Sequence, residues 1–193
     1  MSNKQILIAY ATRYGTTEIT AKDLAKIFDE LEINTDLLDL KQTKEKEWPL
    51  LDAYDGIIVA SGIRIGKWMK EPQKFLKTFR NEISSNEIVL GLFINCATCL
   101  IDPATANNEY LVKVIEKLGI KPNIYRAFGP ILDFSETTRI GKIARAVLKK
   151  VIEKDFEDAG IQIDYKARND LREMDQIREF AEEFAKLVKE KSY

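Results

Sequence analysis

A short loop rich in hydroxyl groups follows the first apolar run of the chain, which spans residues 6–10. The loop contains Thr12, Gly15, Thr16 and Thr17, and a helical pattern starts directly behind it. Backbone N–H groups and the positive end of a helix dipole converge at such a strand-to-helix turn, where they can hold a phosphate without a lysine. The alternative is an ordinary turn that ends in a threonine N-cap.

Two further segments carry residues suited to contact with a planar ligand. Residues 61–68 follow a second apolar run and supply two glycines, an arginine and an indole, which either stacks on the ligand or packs in the core. Residues 95–97 follow a third apolar run. The candidate cofactor-binding residues are Thr12, Arg13, Tyr14, Gly15, Thr16, Thr17, Ser61, Gly62, Ile63, Arg64, Ile65, Gly66, Trp68, Asn95, Cys96 and Ala97.

Alternating strand and helix patterns predict how these segments come together. Predicted strands cover residues 4–10, 35–40, 57–60, 88–94 and 124–128. Predicted helices cover residues 17–31, 72–83, 108–118, 137–157 and 172–190, with a loop over residues 95–107. Right-handed crossovers then give a parallel sheet of order 2-1-3-4-5 with helices on both faces. We expect one domain over residues 1–193, with the three candidate segments at the carboxyl edge of its sheet.

The amino-acid composition limits the partners and the kinds of catalysis that are expected for this chain. The 30 basic and 31 acidic residues nearly cancel, so no nucleic-acid partner is expected. Histidine is absent, and two cysteines cannot complete a tetrahedral zinc site, so we expect no metal and assign the chemistry to a bound cofactor. The sequence shows neither the apolar core of a signal peptide nor an apolar run long enough to span a membrane, and we therefore expect a cytoplasmic location.

Three segments of the sequence resemble those of known proteins. Thr12-x-x-Gly15-x-Thr17 resembles the phosphate loop of flavodoxins, which hold FMN. Residues 54–67, YDGIIVASGIRIGK, and residues 164–166 are similar to segments of the flavodoxin-domain, quinone-dependent protoporphyrinogen IX dehydrogenases. The resemblance implies a flavodoxin-like three-layer α/β sandwich with extra C-terminal helices, and noncovalently bound FMN as the redox centre of an oxidoreductase.

If the chain holds FMN, the charge of Arg64 favours an enzyme. A positive charge near the flavin ring stabilises the anionic reduced flavin, as expected for a two-electron dehydrogenase. Arg64 and Arg13 could pair with the carboxylates of a small-molecule redox substrate such as a porphyrin. Arg64 is therefore the candidate catalytic residue. The alternatives are an electron carrier that docks on a protein redox partner, and a binding module of the same fold without flavin.

Cys96 and Cys99 form a CxxC motif with two interpretations. One is a redox dithiol that exchanges electrons with a flavin, and the other is a pair of small, partly buried thiols. Redox-active CxxC motifs such as that of thioredoxin precede a helix. Because no helix evidently follows this motif, the sequence favours the second interpretation.

The predicted helix over residues 137–157 is amphipathic. Its apolar face comprises Ile140, Ile143, Ala144, Val147, Leu148, Val151 and Ile152. Its basic face comprises Arg139, Lys142, Arg145, Lys149 and Lys150. Core packing beneath a solvated basic face is the favoured interpretation. The acidic residues at the end of the helix weaken the case for a membrane, because anionic lipids would repel them. Contact with an anionic membrane surface, or with a lipid-soluble or carboxylate-bearing substrate, is the alternative.

Overall fold

The computed structural model describes residues 4–85, 88–138 and 140–191. The strands are β1 (Gln5–Ala11), β2 (Asn34–Asp39), β3 (Gly56–Arg64), β4 (Lys67–Trp68), β5 (Val89–Asn95), β6 (Ile124–Phe128), β7 (Ile131–Asp133) and β8 (Arg168–Asp170). Five of them form a parallel sheet of order β2-β1-β3-β5-β6. This arrangement confirms the predicted order 2-1-3-4-5 and the α/β class.

Helices flank this sheet on both faces. The helices of the described residues are α1 (Thr16–Glu30), α2 (Lys70–Thr78), α3 (Arg80–Ser84), α4 (Thr98–Ile101), α5 (Pro103–Asn107), α6 (Lys113–Leu118), α7 (Lys142–Asp158) and α8 (Met174–Glu190). Of these, α7 does not flank the main sheet and belongs to a smaller unit. A wider π-helical turn over residues 108–112 joins α5 to α6. The predicted single helix over residues 72–83 is interrupted at Phe79, where α2 ends and α3 begins.

Residues 95–107 are not the predicted loop. They contain α4 and α5, so the helical segment expected from residue 108 already begins at Pro103. Asp102 caps α5, because its Oδ1 accepts a hydrogen bond of 2.9 Å from the Thr105 N–H. An Asp-Pro pair at the N-cap and first helical position is a start signal that the apolar periodicity did not reveal.

The strand sequences explain the layered core. All seven residues of β5 are buried, as the near-continuous apolar strands of a parallel sheet require. Phe28, Phe180 and Phe184 from α1 and α8 are fully buried on one face. Phe75 from α2 and Leu111 are fully buried on the other. The sheet is therefore covered on both sides, and its carboxyl edge is left for ligand-binding loops.

A smaller unit, which we call the satellite lobe, contains β7, α7 and β8. β7 and β8 pair antiparallel, and α7 packs Ile152 and Phe156 against Leu132 and Phe134. The lobe follows β6 directly in the chain, after Gly129 and Pro130. Arg139 of the predicted basic face lies outside the described residues.

Arg172 joins the satellite lobe to the main sheet. Its guanidinium, only 4% exposed, lies 2.9 Å from an Asp23 oxygen in α1 and 2.8 Å from an Asp170 oxygen in β8. At Gly129 the backbone approaches Leu171 so closely that a Cβ would lie 2.1 Å from the Leu171 oxygen. Within the described part of the chain, none of the helices combines the length and apolar character that crossing a bilayer requires.

Candidate cofactor site

The first candidate loop lies between β1 and α1. Gly15 has a φ of 96°, a backbone conformation that glycine adopts without strain, and its N–H donates to Thr12 Oγ1 at 3.0 Å. Gly15, and not a threonine, is the N-cap of α1. The Thr16 hydroxyl donates to the Ile131 carbonyl at 3.3 Å and accepts from the Ile131 N–H at 3.2 Å. The loop is thus attached to the satellite lobe.

The second candidate loop is a tight hairpin and not an extended loop. β3 continues to Arg64 and pairs with β4 through the Arg64 and Lys67 partners. Ile65 and Gly66 form the two-residue turn with φ values of 48° and 68°, as hairpin turns of this length require. A β-branched residue is strained in that conformation, and the Ile65 side chain is 88% exposed. The hairpin places Arg64 beside the first loop.

Trp68 and Ser61 lie away from the ligand side of this hairpin. Trp68 is 5% exposed in the core, and its indole N–H donates to the Tyr110 carbonyl. The Ser61 hydroxyl donates to the Gly62 carbonyl and accepts from the Met69 N–H, each at 2.9 Å. Trp68 is therefore a packing residue, and its predicted stacking on a flavin is not supported.

The third candidate segment is fixed by a buried hydrogen-bond network. Asn95 Nδ2 donates to Thr20 Oγ1 at 3.2 Å and to the Gly129 carbonyl at 3.0 Å. Arg172 Nη1 donates to the same threonine oxygen at 3.3 Å. Cys96 is held by its N–H, which donates to the Phe128 carbonyl at 3.1 Å. This network connects the end of β5 to the anchor of the satellite lobe.

The three segments surround one cavity of about 540 Å³. Twelve of the sixteen predicted residues line it; Gly15, Ser61, Gly66 and Trp68 do not. The predicted residues on the wall are Thr12, Arg13, Tyr14, Thr16, Thr17, Gly62, Ile63, Arg64, Ile65, Asn95, Cys96 and Ala97. The wall residues that were not predicted as cofactor-binding are Met69, Pro130, Ile131, Leu132, Ile140, Ala144, Val147, Leu148 and Val151.

The apolar face of α7 is divided between packing and the cavity. Ile152 is buried against the satellite lobe, in line with the predicted core packing. In contrast, Ile143, Val147 and Val151 are 84%, 58% and 63% exposed, so core packing is wrong for these three residues. Val147 and Val151 line the cavity. The extra helix therefore presents aliphatic side chains to the cavity and to solvent.

The basic face of α7 is partly engaged within the lobe. The Arg145 guanidinium donates to the carbonyls of Phe134 and Ser135 at 3.1 and 2.9 Å. Lys149 Nζ lies 4.4 Å from the centre of the Tyr165 ring. Two of the predicted basic residues thus stabilise the lobe, so this face is not simply a solvated surface.

The charge of the cavity wall is positive. Arg13 and Arg64 are exposed and line the cavity, whereas no acidic side chain is found among the described lining residues. Arg13 Nε donates to the Tyr14 hydroxyl at 2.9 Å, and its guanidinium carbon lies 5.3 Å from the centre of that ring. The wall can therefore attract an anionic ligand.

The CxxC motif lies at the start of α4, in contrast to the prediction that no helix follows it: Cys96 stands two residues before the helix, and Cys99 is its second residue. Cys99 lies in α4, and its thiol donates to the Cys96 carbonyl at 3.1 Å. The side chains of the two cysteines also interact with each other, and this interaction lowers the pKa of Cys96. It raises the pKa of Cys99, as does burial. The two thiols therefore differ in acidity.

The flavodoxin domain family matches residues 7–159, and the chain belongs to this family. Protoporphyrinogen IX dehydrogenase (quinone) of Escherichia coli strain K12 is 30% identical over 79 residues, which are 41% of this chain. The aligned part covers 42% of that relative, less than half of its length.

Solved structures share the fold at low sequence identity. A short-chain flavodoxin associated with a non-canonical PDU bacterial microcompartment has a TM-score of 0.54 and 12% identity, with 96% of this chain and 99% of that chain covered. Rubredoxin oxygen:oxidoreductase of Desulfovibrio gigas has a TM-score of 0.53 and 13% identity, with 96% and 36% covered. These likenesses confirm the flavodoxin-like fold, and the family supports a flavin as cofactor.

Two buried polar atoms test whether the cavity suits such a cofactor. Thr17 Oγ1 and Asn95 Oδ1 are buried and have no hydrogen-bond partner among the residues that the structure describes. An unpartnered buried polar atom costs about 1–3 kcal/mol, which a hydrogen bond to a ligand offsets. A Cβ at Gly62 would lie 3.3 Å from Thr17 Oγ1 and crowd it. The residues present therefore fit a ligand with a phosphate and hydrogen-bonding ring edges.

Proposed function

We propose that this chain binds FMN in the cavity and uses it to oxidise or reduce a largely apolar, carboxylate-bearing substrate. The segment from Thr12 to Thr17 would hold the phosphate, and the walls around Gly62 and Asn95 would contact the ring. When bound, FMN supplies the transfer of an electron pair. The chain itself binds and orients the ligands and sets the charge around them.

The observation that carries the substrate part of this proposal is the composition of the cavity wall. Val147, Leu148 and Val151 of α7 line the same cavity as Arg13 and Arg64. Aliphatic side chains favour contact with apolar rings, and guanidinium groups pair with carboxylates through two parallel hydrogen bonds. The porphyrinogen substrate in the name of the E. coli relative has this combination of properties.

Cofactor selection is tested by titrating the purified protein with FMN and with riboflavin, which lacks the phosphate. We expect FMN to bind at least tenfold more tightly, because the buried Thr17 hydroxyl has no partner among the described residues and lies in the first turn of α1, where an anion is stabilised. Equal affinity for the two flavins would contradict the phosphate site. A protein that takes up neither would support a flavin-free binding module.

The role of Arg64 is tested by Arg64→Ala with protoporphyrinogen IX as substrate and a quinone as acceptor. Loss of a charge-assisted pair costs about 1.5–3 kcal/mol, so KM should rise roughly 10- to 100-fold while FMN affinity changes less than about twofold. Lys67→Ala is the matched control, because Lys67 is a neighbouring exposed cation that does not line the cavity. Equal losses of FMN affinity and turnover would reject the proposed role.

An electron carrier is the second candidate function, and the exposed apolar rim of the cavity favours it. Ile65, Tyr14 and Val147 line the cavity and are 88%, 44% and 58% exposed, and such side chains suit a transient protein contact. Reductive titration separates the two functions. A carrier takes up electrons in two resolved one-electron stages, whereas the proposed oxidoreductase takes up a pair in one stage.

A further inference from the structure

Cys96 and Cys99 face two different cavities. Cys96 is 5% exposed and lines the candidate flavin cavity. Cys99 is half-buried and lines a second cavity of about 400 Å³, which also contains Arg126 and Glu173. The two thiols therefore lie between the flavin cavity and a separate opening.

The backbone holds the two thiols close to each other. The Cys96 N–H is bonded to the Phe128 carbonyl of the neighbouring strand, which fixes the end of β5. The Cys99 thiol points back to the Cys96 carbonyl at 3.1 Å. Both cysteines are free thiols, and their spacing is that of redox-active dithiols.

The two sulfurs have different acidities. The side-chain interaction with Cys99 lowers the pKa of Cys96, whereas Cys99 retains its proton because its pKa is raised. A thiolate is the nucleophilic form of cysteine. The buried sulfur on the flavin side is thus the more readily ionised, and the sulfur on the outer side is the more accessible to an external thiol or disulfide.

We propose that Cys96 and Cys99 form a redox dithiol that exchanges an electron pair with the flavin and with an external disulfide, a role that rests on the proposed function. In the first exchange the Cys96–Cys99 sulfur bond breaks and two thiols form. The reduced flavin supplies two electrons and one proton, solvent supplies the second proton, and the flavin becomes oxidised.

The external exchange restores the bond between the two cysteines. The accessible Cys99 thiol attacks an external disulfide and gives its proton to the neighbouring Cys96 thiolate in the same step. A mixed disulfide forms, and one external sulfur leaves and takes up the proton from Cys96. The Cys96 thiolate then displaces the second external thiol and closes the internal disulfide. Two protons pass from the protein thiols to the two external thiols, so the external disulfide is reduced by one electron pair.

The test uses the FMN-loaded protein after treatment with oxidised glutathione, under exclusion of oxygen. One electron pair per flavin is delivered photochemically, and visible absorbance and alkylatable thiols are followed. In the wild type we expect most of the bleached absorbance to return, with two new thiols per chain. In Cys99→Ser, which has one thiol and cannot close the internal bond, the flavin should stay reduced.

The possible outcomes separate this proposal from the proposed function. A wild-type flavin that stays bleached while the internal disulfide persists overturns the dithiol alone. The same holds if intact-mass measurement shows no loss of two hydrogens after treatment with oxidised glutathione. If the protein retains no flavin absorbance after FMN has been added and the unbound FMN removed, both proposals are overturned. This result is apparent before any reductant is added.

Discussion

The two long helices of the C-terminal part are equal in length and differ in what they bury. α7 and α8 each have 17 residues and an apolar stripe. α8 lies on the main sheet and buries Ile177, Phe180, Ala181, Phe184, Ala185 and Val188. α7 buries only Ile152 and Phe156. Amphipathicity alone therefore does not distinguish a helix that closes a core from one that lines an open cavity.

The difference in burial means that α7 and α8 contribute unequally to the free energy of unfolding. Burial of apolar side chains is the main source of stability, so α8 contributes to the core of the whole sheet. The exposed aliphatic side chains of α7 contribute little to folding, and they remain available to a ligand. We therefore expect the satellite lobe to open at a lower free energy than the main sheet, as regions with few buried contacts do.

The largest effect is expected from truncation of buried phenylalanines in the two helices. Phe184→Ala should lower the free energy of global unfolding by about 3–5 kcal/mol, since its ring packs against the sheet. Phe156→Ala should destabilise mainly the satellite lobe. Denaturant unfolding together with hydrogen exchange over residues 142–158 measures both. Equal global losses would show that the lobe and the sheet unfold as one unit.

A smaller, matched effect is expected from two valines. Val188→Ala in α8 should cost about 2 kcal/mol of unfolding free energy, because the Val188 side chain is fully buried. Val147→Ala in α7 should cost less than about 0.5 kcal/mol, because that residue is 58% exposed. Val147→Ala should instead weaken binding of the apolar substrate. A large stability loss in this variant would contradict the division between the two helices.

The smallest effect is expected in the stability at low pH, where the contact between Arg172 and Asp170 in the satellite lobe is lost. Paired hydrogen bonds from Arg172 hold the pKa of Asp170 below its usual value. Its stabilising contribution is complete above the unfolded pKa of about 3.9 and is lost as pH falls through the lower folded value. In Asp170→Asn, the free energy of unfolding should therefore depend less on pH below about pH 4. The difference from the wild type should be less than about 1 kcal/mol, because the Asp170–Arg172 pair is partly exposed. Urea unfolding at a series of pH values checks this, with Asp175→Asn as an exposed control.

The main sheet could be predicted because its strands are almost entirely apolar. A run such as residues 88–94 has few structural alternatives once helical patterns flank it. The short elements could not be predicted in this way. β7 and β8 have three residues each, and α4 has four, so none is long enough to show a period.

The lining of the cavity could be predicted where it comes from the ends of the parallel strands. Thr12 after β1, and Asn95 and Cys96 at the end of β5, follow from the strand-to-loop order of the fold. Trp68 was not predictable, because an indole next to a ligand loop is equally suited to stacking and to packing. The face of α7 could be read from periodicity, but periodicity does not identify which surface that face meets.

The Thr16 hydroxyl, which both donates to and accepts from the Ile131 backbone, has a consequence for the modularity of this chain. Excision of the satellite lobe would not leave a minimal version of the domain. It would remove the partner of the Thr16 hydroxyl in the turn between β1 and α1 and uncover the adjoining backbone to water. A shortened redesign of this protein therefore has to replace both hydrogen bonds of the Thr16 hydroxyl as well as the aliphatic wall of the cavity.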